Sequence, residues 1–333
     1  MNPRNTNAPE PTMKIAQCLA LAALSFVLAG CGFIAIHSAA PKVASAIRTE
    51  QALAADALFW ETLHSGNYDD IPKTTAAVTA AYLQNSSDAK TAAHVGWLHI
   101  WQLAERARLA EPSPTITDHA VMARRYLQEA VTLDPSDARY LGFLGSAQLA
   151  EGSIHQDEKL KRQGYYTLRS AINAWPEFNL FTAGYVMSGQ AAASPRFKEG
   201  LEWQWKNIDE CIGTKIDRGN PDYSAYMQHA TTQGPKRVCW NSWIAPHNFE
   251  GFFLNMGDML VKSGDWQTAQ KIYANAKLSP DYGSWKFAPV LEARIQNSQT
   301  NTLVFSETYT TPAKVGAVIM SQSAFSCAGC HQR

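Results

Sequence analysis

The residues best suited to chemistry lie at the C-terminal end of the sequence, in the run Cys327-Ala328-Gly329-Cys330-His331. Two cysteines separated by two residues and followed directly by a histidine form the pattern of covalent c-type haem attachment. The thiols of Cys327 and Cys330 would add to the two vinyl groups on one edge of a porphyrin, and His331 would ligate the iron. Ala328 and Gly329 are small, so the porphyrin edge can approach the backbone. The sequence therefore predicts one covalently bound haem c.

The two cysteines also permit a redox-active or a structural disulfide. A dithiol oxidoreductase normally places its CxxC at the start of a helix in a βαβ context, and the sequence around Cys327 lacks that pattern. Only Gln332 and Arg333 follow the histidine, so upstream residues must bury the porphyrin, which would otherwise be a large exposed apolar patch. This late position is similar to that of the motif in the four-helix cytochromes c prime, and residues 312–325 could form the preceding helix.

The sixth iron position is either open or filled by a histidine or methionine. His247 lies in a loop rich in aromatic residues, which would suit a distal wall. The alternative, which we favour, is a hydrogen-bonded histidine near a helix start. Met320 is close to His331 in sequence and is disfavoured as a ligand. Weaker candidates are His229, Met227, Met256 and Met259.

Residues 1–30 have the features of an export signal. Met13-Lys14 begins a positive region, and the apolar run at 15–29 is too short to span a bilayer comfortably. Met13 could be the true start, and an uncleaved apolar anchor is the alternative. The run ends in Leu28-Ala29-Gly30-Cys31, which resembles the bacterial lipobox. The resemblance implies lipidation of Cys31, a chain facing the periplasm on a membrane surface, and, from Gly32, a weak preference for the outer membrane.

The remaining cysteines can be assigned to the export signal or to a disulfide. Cys18 would leave with the signal, and the oxidising compartment disfavours unpaired thiols. With Cys327 and Cys330 assigned to haem, Cys211 and Cys239 are predicted to form a disulfide. Closure of a loop of about 28 residues typically contributes about 2–4 kcal/mol.

Charge and motifs exclude several classes of protein. The sequence has 29 Lys and Arg against 29 Asp and Glu, so no overall field attracts nucleic acid. We find no GxSxG, HExxH or P-loop pattern, so a hydrolase is not expected. We therefore expect an electron-transfer or binding protein rather than an enzyme.

The body of the chain contains helical repeats. The clearest unit, 250–282, carries Gly257 where two helices cross, Gly264-Asp265 at the turn, and Ala269 and Tyr273 on one face of the second helix. This unit resembles a tetratricopeptide repeat, units at about 96–135 and 145–176 match with insertions, and an early unit at about 51–86 is degenerate. The resemblance implies a right-handed stack of helix pairs with a concave surface that binds peptides or partner proteins.

The sequence thus predicts an all-α chain: a signal peptide with lipobox at 1–30, a linker at 31–47, a helical repeat solenoid at 48–297 with an irregular insertion at 206–248, and a haem-attachment segment at 298–333. Within that segment, residues 302–311 alternate and are β-branched, so we expect a short extended stretch. The expected function is electron transfer by a lipid-anchored mono-haem protein that docks a redox or assembly partner. The alternatives are a haem enzyme or gas or redox sensor with an open distal site, and a haem-free repeat scaffold for an envelope complex.

Overall fold

The computed structural model describes residues 32, 34–229, 233–239, 249–306 and 318–331. The chain divides into two compact units, Met1–Val43 and Ala44–Arg333. Residues 34–37 of the first unit are helical. The predicted signal peptide and Cys31 lie outside the described residues. Among those that are described, no helix has the length and apolar character needed to cross a bilayer.

The second unit is built of α-helices joined by turns and short 3-10 segments, and its described residues include no β-strand. This confirms the predicted all-α, repeat-like fold class. The helices, in chain order, are α1 (Glu50–Ser65), α2 (Ile71–Gln84), α3 (Ala89–Ala104), α4 (Asp118–Leu133), α5 (Ala138–Ile154), α6 (Glu158–Ala174), α7 (Pro176–Met187), α8 (Pro195–Ile212), α9 (Phe249–Ser263), α10 (Trp266–Asn275), α11 (Ala288–Gln296), α12 (Ser298–Ser306) and α13 (Ala328–His331).

Aspartate caps recur at the helix starts. The side chains of Asp88, Asp137, Asp157 and Asp265 accept backbone N–H groups at the beginnings of α3, α5, α6 and α10. Each cap satisfies donors that have no partner inside the helix and typically contributes about 1 kcal/mol. The repeated cap fixes where each of these helices begins.

Successive helices pack against each other from α1 to α8, and α9 packs against α10. Glycines allow the closest crossings. A Cβ atom on Gly257 of α9 would lie 2.1 Å from the ring of Tyr273 on α10, and one on Gly145 of α5 would lie 2.8 Å from the backbone nitrogen of Leu168 on α6. The hairpin of α9 and α10, with Gly264 in the left-handed region at φ 96° and Asp265 as N-cap, has the helix–turn–helix form predicted for the clearest repeat.

The predicted insertion begins inside α8, which continues to Ile212. The described part beyond it consists of loops and two 3-10 segments, Ser224–His229 and Pro235–Val238. A disulfide joins Cys211 to Cys239, whose Cα atoms are 5.7 Å apart. The indole of Trp175 also donates to the carbonyl of Pro235 at 2.8 Å.

Two local predictions near the C-terminus are wrong. Residues 302–306 belong to α12 rather than to an extended stretch, because Ser298, Asn301 and Phe305 recur at helical spacing and are buried on one face. Residues 318–325 form bends and a 3-10 turn, Met320–Gln322, rather than a helix. Their backbone groups bond to side chains of the repeat body instead. The remaining parts of both predicted stretches lie outside the described residues.

Candidate functional site

The C-terminal motif forms a single helical turn, α13. The N–H groups of Cys330 and His331 donate to the carbonyl of Cys327 at 3.0 Å, and Gly329 donates to Phe325 at 2.7 Å. Cys330 and His331 are each 6 % exposed. Both cysteines of the motif are free thiols. The two sulfurs and the imidazole are therefore held on one short, buried turn.

Glu105, directly after α3, holds the start of this turn. Its carboxylate is fully buried, and Oε1 accepts the backbone N–H groups of Cys327 and Ala328, both at 2.7 Å. Arg108 donates its Nε to the other carboxylate oxygen at 2.6 Å. A carboxylate that receives unsatisfied N–H groups at a helix start stabilises that start. Glu105 therefore acts as a cap supplied from a distant part of the chain.

Three aromatic residues hold the rest of the motif. The hydroxyl of Tyr185 donates to the carbonyl of Ser326 at 3.0 Å, and the indole of Trp285 donates to the carbonyl of Gly329 at 3.2 Å. The ring of Trp97 meets the imidazole of His331 edge-on, with centroids 4.8 Å apart and planes at 78°. These contacts fix the orientation of the imidazole relative to the two sulfurs.

The segment of chain leading to the motif is anchored by Asp258 of α9. Its carboxylate accepts the N–H of Met320 at 2.7 Å and the hydroxyl of Tyr273 at 2.6 Å, and it lies 3.3 Å from the Nε of Arg294. Arg294 in turn donates to the carbonyl of Val318. Asp258 is 1 % exposed, so this network ties the C-terminal segment to the repeat body through fully desolvated contacts.

An apolar cavity of about 320 Å³ lies against the motif, and Cys327, Cys330 and His331 all line it. Helices α3, α4, α5 and α7 contribute most of the other walls. Alanines recur among the lining residues and leave room for an occupant: Ala104, Ala120, Ala123, Ala147 and Ala150. This volume falls within the range of small-molecule and cofactor sites, which are concave and mainly apolar.

The motif lies between two parts of the hydrophobic core. Cys330 belongs to a cluster with Phe253 and Tyr273 of the C-terminal helices, whereas Cys327 packs against a cluster that includes Trp97 and Trp101 of the N-terminal helices. The backbone of α13 accordingly contacts both α1 and α9. The attachment turn therefore connects the two clusters.

The residues around the cavity are suitable for binding a porphyrin. Two free thiols and one imidazole line a single, mainly apolar cavity, which is the kind of surface that an apolar ring needs. They fit dithiol redox chemistry poorly. Burial and then the neighbouring Glu105 hold the pKa of Cys327 well above its usual value, and burial followed by Glu250 raises the pKa of Cys330. An attacking thiol needs a lowered pKa.

Three candidates for a sixth ligand, Met256, Met259 and Met320, do not line the cavity. His247 lies outside the described residues. Met256 and Met259 are buried in α9, and Met320 packs beneath Gly329, where a Cβ atom would lie 2.6 Å from its Cε. Met227 and His229 are in the 3-10 segment Ser224–His229. Within the described ranges, no three or more His, Cys, Asp or Glu side chains are grouped to hold a bare metal ion.

Sequence reasoning missed Glu105, Tyr185, Trp285 and Asp258. Glu105 is separated from Cys327 by 222 positions, and a glutamate after a helix is ordinarily a solvated residue. The sequence assigns Trp97 to packing between helices, and it does pack there, but it also contacts His331. No local pattern distinguishes these residues from the rest of the repeat body.

Comparison with known proteins found no match. No family model matches the chain, no curated protein matches it, and no solved structure matches it. The functional proposal therefore depends on the residues of this chain and their geometry.

Proposed function

We propose that this protein is a mono-haem c-type electron-transfer protein, exported and held on a membrane surface by lipid on Cys31. Cys327 and Cys330 would hold the haem covalently, and the imidazole of His331 would ligate its iron. The observation that carries the proposal is the convergence of both thiols and the imidazole on one apolar cavity. The lipobox and export signal support the compartment in which such a haem is attached.

The roles of the residues follow from their contacts. Each thiol would add across a vinyl group, with a new S–C bond at one vinyl carbon and the thiol hydrogen on the other, so no oxidant would be consumed. Glu105 keeps the attachment turn in place, and Trp97 orients the imidazole of His331. The apolar walls exclude water from the ring. The bound haem supplies one-electron redox chemistry.

The stacked helices form the surface on which we propose that a partner protein docks. Helical repeat arrays present extended surfaces that bind other proteins. In this chain the array also forms the cavity walls, so a protein docked on it would lie close to the haem. A redox partner in the cell envelope is therefore the partner class we propose.

The test is to produce the full chain together with a c-type haem maturation system and to denature the purified protein in acid. We expect an absorbing protein that keeps its colour on denaturation and carries the added mass of one haem. A C327A/C330A double variant should lose covalent haem, and H331A should keep it with an altered spectrum. Wild-type protein without covalent haem would overturn the proposal and leave the haem-free scaffold. A high-spin reduced spectrum that shifts with carbon monoxide would favour the open-site alternative over electron transfer.

A further inference from the structure

One side chain differs in character from the rest of the cavity lining. Among the described residues that line it, Arg106 is the sole Asp, Glu, Lys or Arg. The other polar members carry neutral hydroxyl or amide groups, apart from the histidine and thiols of the motif. Arg106 is exposed, whereas Trp97 and Cys330 in the same lining are buried. The cation therefore lies where the apolar cavity meets solvent.

The chain places this cation through the same turn that supplies Glu105. Helix α3 ends at Ala104, and a 3-10 turn follows at Arg106–Arg108. The Nη1 of Arg106 donates to the carbonyl of Leu103 at 2.8 Å, which fixes one edge of the guanidinium. A guanidinium has five N–H donors, so this bond leaves donors for a ligand.

Neighbouring arginines have carboxylate partners. Arg108 pairs with Glu105 at 2.6 Å, and Arg124 of α4 pairs with Glu151 at 2.6 Å. Arg106 forms no ion pair within the described part of the chain, although it follows Glu105 directly. Its guanidinium is thus part of a residue that lines the cavity and is not paired with a carboxylate of the described residues.

We propose that Arg106 binds a carboxylate of the cavity's occupant. An apolar cavity with one arginine at its mouth suits a ligand with an apolar body and a carboxylate edge, because arginine forms charge-assisted and often bidentate bonds to carboxylates. The inference rests on the proposed function, under which the carboxylate is a haem propionate. Haem carries its two propionates on pyrrole rings other than those that carry the vinyl groups.

Two effects follow from this assignment. The bond to a propionate fixes the porphyrin at a third point beyond the two sulfurs. The positive charge of Arg106 also favours the reduced iron, which carries one positive charge less than the oxidised iron. Arg106 is therefore a positioning residue that also raises the reduction potential.

The experiment compares haem-loaded wild type with R106Q, R106K and the control R125Q. Arg125 is an exposed arginine of α4 outside the cavity lining, so R125Q removes the same charge elsewhere. We would measure the midpoint potential at low ionic strength and the propionate-sensitive bending bands of the resonance Raman spectrum. R106Q should lower the potential and shift those bands, R106K should lower the potential less, and R125Q should change neither.

The outcomes separate the two proposals. Haem-loaded R106Q with the potential and bending bands of wild type would overturn the role of Arg106 and leave haem attachment standing. A lower potential with unchanged bending bands would also overturn it, because a charge that does not contact the propionate acts only at a distance. If R106Q does not fold, the bending bands of R106K decide whether Arg106 contacts the propionate. Because a lysine cannot form the bidentate bond, shifted bands support the contact and unchanged bands overturn it. Wild-type protein without haem would overturn both proposals.

Discussion

The carboxylate of Glu105 accepts the backbone N–H of Cys327 at 2.7 Å, although the two residues are 222 positions apart. The end of one repeat helix thereby holds the first residue of the attachment motif. The same turn places Arg106 in the cavity lining and pairs Arg108 with Glu105. The candidate site is thus assembled from a short C-terminal segment and a turn in the first half of the chain.

Removal of this cap should destabilise the protein. E105A leaves two buried N–H groups without their acceptor and separates Arg108 from its partner, so we expect a loss of about 2–3 kcal/mol in the free energy of unfolding. E105Q keeps one acceptor oxygen and should lose less. Urea unfolding followed by circular dichroism measures both. The control is E111A, an exposed glutamate, which should stay within about 0.5 kcal/mol of wild type. Equal stability of E105A and E111A would contradict the capping role.

The anchor at Asp258 should control docking of the C-terminal segment. D258A leaves the buried guanidinium of Arg294 without its counter-charge and the N–H of Met320 without its acceptor, so we expect a loss of about 3–5 kcal/mol. Amide hydrogen exchange in residues 318–331 should become faster than in the neighbouring α10. D258N should have a smaller effect, and the exposed D69A should have none. Unchanged exchange in D258A would show that other contacts hold the segment.

The crossing of α9 and α10 should not tolerate a methyl group at Gly257. The added Cβ would lie 2.1 Å from the Cε1 of Tyr273, which is fully buried and bonded to Asp258. We expect G257A to lose about 1–3 kcal/mol. Gly283 is the matched control, because a Cβ atom added there would meet nothing within 4 Å. A thermal midpoint of G257A equal to that of G283A would show that the helices adjust at no measurable cost.

The pair His99 and His119 should make stability depend on pH. Their Nδ1 atoms are 2.8 Å apart, and burial followed by the nearby His119 lowers the pKa of His99 to about 4. The unfolded chain takes up a proton near pH 6.5, so the contribution of His99 is complete above that pH and is lost as the pH falls toward 4. The slope is at most about 1.4 kcal/mol per pH unit.

Urea unfolding at pH 5 and pH 7 tests this dependence. H99Q should show a smaller stability difference between the two pH values than wild type. H155Q, which replaces an exposed histidine, should retain the wild-type difference. An H99Q difference equal to that of wild type would show that His99 does not contribute to the acid sensitivity.

The sequence predicted those features that depend on local spacing. Gly257, Gly264 and Asp265 identify a helical hairpin because the close crossing, the left-handed turn and the cap each require a particular residue type within a few positions. The motif at Cys327 was likewise visible from its spacing, although its haem remains a prediction. Residues 302–306 were predicted wrongly because burial of Phe305 outweighed the β-propensity of its neighbours.

The cavity could not be predicted in the same way. Its walls come mainly from helices α3, α4, α5 and α7, and residues such as Ala123, Phe143 and Ala150 have the spacing of ordinary core positions. Which of these residues pack closely and which leave space depends on how several helices stack. A short stretch of sequence does not determine that stacking. The role of Glu105 depends on a contact with the far end of the chain and has no local signal.

The contacts of α13 with both α1 and α9 affect how the chain folds. An open array of repeats gains its contacts between neighbours and can fold progressively. Here α13 joins helices that are far apart in the sequence, so the contact order rises and the docking of α13 is slowed by loop closure. A chain that lacks α13 would lose these long-range contacts, whereas α8 and α9 would still pack against each other.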